Sequence, residues 1–488
     1  MDSTGDLGVL LASQYPLIIA SARDERRLMA AIRQEAAGRG LPVWTWTAAR
    51  GLARDEYPSQ YGTQDPRQAL SFITDLSDAG VFVLADAHHA LADPVTLRTV
   101  KDCVLHAETG QTLVLTGPDL TVPAELDGLA VPWELQQPDD DELAAMVNRT
   151  MADLARGGLT TPLHLDDERA LIETLRGLPL PDAARLLRRA VLADGSLGKE
   201  DLPGIRMAKA ELLATDGVLE LVDAGVALED VGGLDGLKDW LRVRGRAIGS
   251  PEAAAMGIDP PRGVLLTGIP GCGKSMIARA LATTWGIPLV LLDPSRVYRK
   301  YVGESEQRLD SALQTAAAMA PVVLWIDEIE KGFSAAGDGD GGVSTRLLGS
   351  FLRWLQDRPD GIFVVATANN VSSLPPELLR KGRFDEIFFV DLPEPEARRG
   401  IIAHHLTKRG HDPAGFDLER VTDLSMGYSG AELEAAVVGA LYRAFGAGLP
   451  PSTDDLIAEI KGTVPLSVAR FEDVEALRAW AAGRAVPA

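Results

Sequence analysis

Cysteine is almost missing from this chain: Cys103 and Cys272 are the only two in 488 residues. They lie far apart, and neither has a second Cys or a His at metal-ligand spacing. That excludes a disulfide framework and a zinc site, and it suits a reducing cytoplasm. Positive charge is also in deficit. The chain has 48 basic against 70 acidic residues, a net charge of −22. The shortfall holds in both halves, at −15 over residues 1–225 and −7 over residues 226–488. Surfaces of that sign repel phosphate backbones, so a bulk nucleic-acid binder is excluded. No apolar run approaches the ~20 residues of a membrane helix. The acidic start, Met1 to Asp6, lacks the basic region of a signal peptide. The expectation is a cytoplasmic protein with no membrane span.

Apolar residues make up 46% of the chain, enough for real cores, and the length predicts two to four domains. Short β-branched or aliphatic runs alternate with helical patterns, which reads as α/β with a doubly wound parallel sheet. In the second half the candidate strands are 264–266, 289–292, 322–326, 362–366 and 387–390. The first half repeats the plan at 17–20, 43–47, 81–84, 112–116 and 131–135. Similar order and spacing point to an internal duplication, although any two doubly wound domains share such spacings. The predicted organisation is an α/β module over 1–140, a helical lid and linker over 141–225, a second α/β module over 226–395, its helical lid over 396–448, and an amphipathic tail over 449–488.

The sharpest signal is Gly268-Ile269-Pro270-Gly271-Cys272-Gly273-Lys274-Ser275, placed after a strand and before a helix that continues through Met276. Glycines there let successive backbone N–H groups converge on phosphates at a positive helix end. Lys274 is expected at the β and γ phosphates and Ser275 on Mg²⁺. Cys272 packs in the loop on this reading. Val322 to Ile326 is a buried strand that releases Asp327 and Glu328 at its C-terminal end, where open α/β sheets place ligands. Asp327 suits the Mg²⁺ shell, and Glu328 suits orienting and deprotonating a water.

Thr367-Ala368-Asn369-Asn370 ends the next strand, and Arg380-Lys381-Gly382-Arg383 follows. With these residues the chain resembles the AAA ATPases that carry a second region of homology. Residues 324–333 and 363–370 are similar to one subgroup, the family named from a hypothetical chloroplast reading frame. The resemblance implies ATP and Mg²⁺ as cofactors and a homo-oligomeric ring, a hexamer. It makes Asn369 the polar sensor near the γ phosphate, with Asn370 as its competitor, and makes Arg380 and Arg383 fingers on a neighbouring subunit's nucleotide. Asp230-Val231-Gly232-Gly233 resembles the adenine-side segment. Gly430 and Ala431, in Gly427 to Glu432, resemble the lid turn over base and ribose. Lys300-Tyr301-Val302 is similar to the pore loop that grips an extended polypeptide, so the implied partner is a protein client.

The first module departs from this pattern. Ser21-Ala22-Arg23-Asp24 follows its first strand, without glycines or a placed lysine, so ATP binding there is not expected. Asp86 reads as the faded counterpart of Asp327. His88 and His89 beside it point to opposite faces and make a poor metal site. Two functions fit: a protein-remodelling motor, or a nucleotide-gated scaffold that recruits partners through the acidic first module.

Overall fold

The computed structural model describes residues 3–488 except 23, 109, 119, 157–164, 215–216, 249, 298–303, 334–342 and 381. The chain divides into two compact units. One comprises Met1–Asp139 with Pro179–Ala183, and the other Asp140–Leu178 with Ala184–Ala488.

In the first unit, strands β1 (Leu17–Ser21), β2 (Val43–Thr47), β3 (Gly51–Arg54), β4 (Gly80–Leu84), β5 (Gln111–Gly117) and β6 (Ala130–Glu134) form a sheet in the order β3-β2-β4-β5-β1-β6. All pairs are parallel except the β2–β3 hairpin. The second unit holds β7 (Leu219–Val222), β8 (Gly263–Gly268), β9 (Leu289–Leu292), β10 (Val322–Ile326), β11 (Ile362–Ala368), β12 (Glu386–Val390) and β13 (Val486–Pro487), ordered β13-β12-β8-β11-β10-β9-β7. Here only β7 is antiparallel to its neighbour.

The central strands are mostly apolar because both faces are covered, with buried threonines such as Thr267 and Thr367 near their C-terminal ends. Leu265, Leu324 and Val364 point into one core. Val264, Val323, Phe363 and Val365 point into the other. Both sheets place their five main strands in the same order, fifth, first, fourth, third and second in the chain, and both close the same edge with one antiparallel strand. The register carries the equivalence down to single residues. Leu17 pairs with Leu113 as Gly263 pairs with Val364, and Leu84 pairs with Leu115 as Ile326 pairs with Ala366.

Three features depart from the sequence reading. Residues 141–225 are not only a helical lid and linker. The helix Leu202–Leu213 and the segment from Val218 into β7 bury Ala210, Val218 and Leu219 in the same core as Leu292 and Val322 of the second sheet and Leu313 of the helix Glu304–Ala318. The helix Thr453–Gly462, expected in the tail, shares a core with the lid helices Pro395–Lys408 and Gly430–Ala447 through Leu456, Ile457 and Ile460. The tail's end, β13, pairs with β12. β7 is interrupted by Glu220 and β13 has only two residues, so neither offers an apolar run or a period to read.

Candidate functional site

The site lies at the C-terminal ends of β8, β10 and β11. β8 runs into the loop 268–273, and the helix Lys274–Trp285 begins immediately after it. Gly271 (φ 78°) and Gly273 (φ 90°) hold left-handed conformations that side chains with a Cβ resist. At Gly271 a Cβ would also lie 3.1 Å from Ser429 Oγ and Ala431 Cβ. The lid turn therefore packs on this loop, and Ala431 N donates to Gly271 O at 3.0 Å. Ser429 and Glu432 form a reciprocal cap that starts the helix Gly430–Ala447 and fixes the turn. Asp230 folds back on Ala227 N at 2.9 Å. Gly232 lies so close to the lid helix that a Cβ would come within 2.6 Å of Ile401. Gly232 is thus packed against the lid helix Pro395–Lys408, and the lid turn against the loop 268–273.

Lys274 is 5% exposed, and its Nζ donates to Gly268 O and Ile269 O, each at 2.9 Å. Burial lowers its pKa to about 8. Burial pushes the Cys272 thiol up to about 12, so this cysteine is a packing group rather than a nucleophile.

Opposite the loop, one hydrogen-bonded chain joins the start of the helix Lys274–Trp285 to the ends of β10 and β11. Ser275 Oγ lies 2.9 Å from Asp327 Oδ1. Thr367 Oγ1 donates to the same oxygen at 2.6 Å and accepts from Glu328 N at 2.9 Å. Asn369 Nδ2 donates to Glu328 Oε1 at 2.9 Å, and Lys331 Nζ bonds Oε2. The Lys331 ammonium, then the Asn369 amide, hold the Glu328 carboxyl below the usual carboxylate range. Glu328 has φ 47°, a left-handed strain of about 1–3 kcal/mol for a residue with a Cβ. Such strain persists where the surroundings fix it, and the Thr367 bond does so here. Asn370 turns away and caps Ser372 with its own Oδ1, so Asn369 is the asparagine that faces the site.

Arg380 is exposed and without a partner among the described residues, whereas Arg383 is half-buried and donates to Glu377 O. Lys300, Tyr301 and Val302 lie outside the described residues, as does the glycine-rich stretch 337–342. Thr367, Glu330 and Lys331 join the site without having been singled out as functional from the sequence. The available signal was a hydroxyl inside an otherwise apolar strand, and two further charges on the short helix Ile329–Phe333 after Glu328.

The donor set fits Mg·nucleotide. A hydroxyl and a carboxylate converge 2.9 Å apart, beside a buried lysine and a loop of left-handed glycines at a helix start. The first unit lacks this cradle. Its helix Glu25–Ala37 begins directly after Asp24, whose own carboxylate accepts from Arg27 N at 3.0 Å. A fixed negative charge therefore holds the place that an anion would need. The register also corrects the assignment of Asp86. Ala85 stands where Asp327 stands, and Asp86, with φ 52°, matches the left-handed Glu328.

Fold and site together define an AAA ATPase. Residues 264–392 match the family "ATPase family associated with various cellular activities (AAA)". Residues 3–135 match "SpoVK-like AAA ATPase, N-terminal domain", and residues 141–216 the corresponding second domain. The AAA domain-containing protein ycf46 of Pyropia yezoensis is 33% identical over 496 residues, 99% of each chain. That of Guillardia theta is 33% identical over 487 residues, 99% of this chain and 95% of its own. A cell division cycle protein 48 homolog of Archaeoglobus fulgidus is 34% identical over 264 residues, 52% of this chain and 35% of that one. The chain belongs to the ycf46 family of AAA ATPases. Among the described residues no helix is long and apolar enough to cross a membrane.

Proposed function

We propose that the second module hydrolyses Mg·ATP between subunits of a hexameric ring and uses the turnover to remodel or thread a protein client. The observation that carries the hydrolysis is the continuous bonded chain from Ser275 through Asp327, Thr367 and Glu328 to Asn369. Lys274 would exchange its two loop carbonyls for phosphate oxygens. Ser275 and Asp327 would hold Mg²⁺, which supplies charge neutralisation on the phosphates. Glu328 would orient a water and take its proton, with Asn369 holding the carboxylate in place.

Arg380 and Arg383 suit a role on the neighbouring subunit's nucleotide, where a guanidinium neutralises developing charge. The client role rests on Tyr301 between Lys300 and Val302, because an aromatic ring grips a polypeptide without reading its sequence. Equilibrium titration with a fluorescent ATP analogue tests the first step. Lys274→Ala should weaken binding by roughly tenfold or more. Binding as tight as wild type would remove this reading.

A further inference from the structure

Glu330 lies two residues beyond Glu328, is 6% exposed, and has no part in the roles assigned so far. Its Oε1 accepts from both Asn369 N at 2.9 Å and Asn370 N at 3.2 Å. Its Oε2 is buried without a partner among the described residues. A buried carboxylate with one oxygen unsatisfied is costly, and hydrogen bonds from backbone N–H groups to a charged acceptor are among the stronger kind. We propose that Glu330 is a positioning residue: it pins the turn after β11 so that Asn369 meets Glu328. This rests on the roles proposed above for those two residues.

The first module supplies an internal comparison. Two residues beyond its left-handed Asp86 stands His88, and Gly117-Pro118 stands where the second module has Ala368-Asn369. Proline has no N–H, so a carboxylate at that place would lose the nearer of the two donors that Glu330 has, the one Asn369 N supplies. His88 Nδ1 instead sits against the bare Gly117, 2.8 Å from where a Cβ would be, and makes no hydrogen bond among the described residues. The acid, the N–H it would hold and the Asp-Glu pair are all missing together from the module without a phosphate cradle. In the module with a cradle all three are present. A role in general sheet packing does not account for that pairing, since both modules keep the same strand order and register.

Displacing a catalytic group by about 1 Å costs on the order of 100-fold in rate. Glu330→Ala should therefore lower kcat roughly 10- to 100-fold while the Kd for a fluorescent ATP analogue stays within about twofold. Glu330→Gln keeps a neutral acceptor, retains the fold if Ala does not, and should lose only a few-fold. The deciding measurement is a double-mutant cycle in the full chain. Adding Glu330→Gln or Glu330→Ala to Asn369→Ala should cost almost nothing further, because the lost function is already gone. Effects that multiply, or a Kd that rises as far as kcat falls, would overturn the assignment. If Asn369→Ala and Glu328→Gln themselves leave turnover intact, the site reading fails instead, and the two failures are distinguishable.

Discussion

Ser275 and Asp327, 52 positions apart in the chain, meet with Oγ and Oδ1 separated by 2.9 Å. Thr367 reaches the same carboxylate oxygen from β11 at 2.6 Å. Thr367→Val keeps the shape and removes the hydroxyl, so Asp327 loses one bond and Glu328 N loses its acceptor. Turnover should fall about tenfold or more, in proportion to one or two hydrogen bonds of ~1–1.5 kcal/mol each, and the Mg²⁺ concentration for half-maximal rate should rise. A Mg²⁺ titration of phosphate release checks both. Removing Mg²⁺ with a chelator should stop turnover in either protein.

Arg380 and Arg383 lie on the turns between β11 and β12, with Arg380 facing solvent. If they act on a neighbour, turnover per subunit should rise with protein concentration. Subunits carrying Arg380→Ala, mixed with subunits carrying Lys274→Ala, should regain part of the activity that each lacks alone. Full activity of Arg380→Ala at every dilution would contradict a role in trans.

The helix Leu202–Leu213 and the segment from Val218 into β7 give Ala210, Val218 and Leu219 to the second sheet's core. Burying each larger apolar side chain is worth about 1.5–3 kcal/mol, and β7 also covers the edge of β9. A chain starting at residue 226 should aggregate or melt well below one starting near 199. Thermal melting of the two would decide. Equal stability would show that β7 is dispensable.

Lys209 is 1% exposed, with Nζ donating to Ala320 O at 3.1 Å. Burial, reinforced by Arg206, lowers its pKa from 10.5 to about 7. Between those values the unfolded chain holds the proton and the folded chain does not, so stability rises with pH across the window and the penalty is complete below it. Lys209→Met should remove that rise, and melting temperatures measured from pH 7 to 10.5 should converge with wild type toward the upper end. Parallel profiles would sink the idea.

The strands buried on both faces were legible because each carries an apolar run at its centre. β10 and β9 match residue for residue because both are wholly apolar, while β3 ends on Arg54, β7 is interrupted by Glu220 and β13 has only two residues. The phosphate loop and the Asp327-Glu328 pair were legible because their chemistry demands fixed residue types at fixed spacing. Thr367 and Glu330 were not, since a lone hydroxyl in a strand and a third acid on the short helix after Glu328 become meaningful only when the ends of β8, β10 and β11 converge. Asp86 was matched one position off because nothing in the residue types announces a left-handed backbone. Once Glu328 and Asp86 share that conformation, the register decides.

The most direct test of the central claim is single-turnover and steady-state phosphate release by the full-length Glu328→Gln protein beside wild type. Gln keeps the side chain's length and can still meet Asn369, but it cannot take a proton from water. Turnover should fall by two or more orders of magnitude, in line with the ~10²–10⁴-fold contribution of a positioned general base, while ATP remains bound and unhydrolysed. Hydrolysis by Glu328→Gln within a few-fold of wild type would contradict the account.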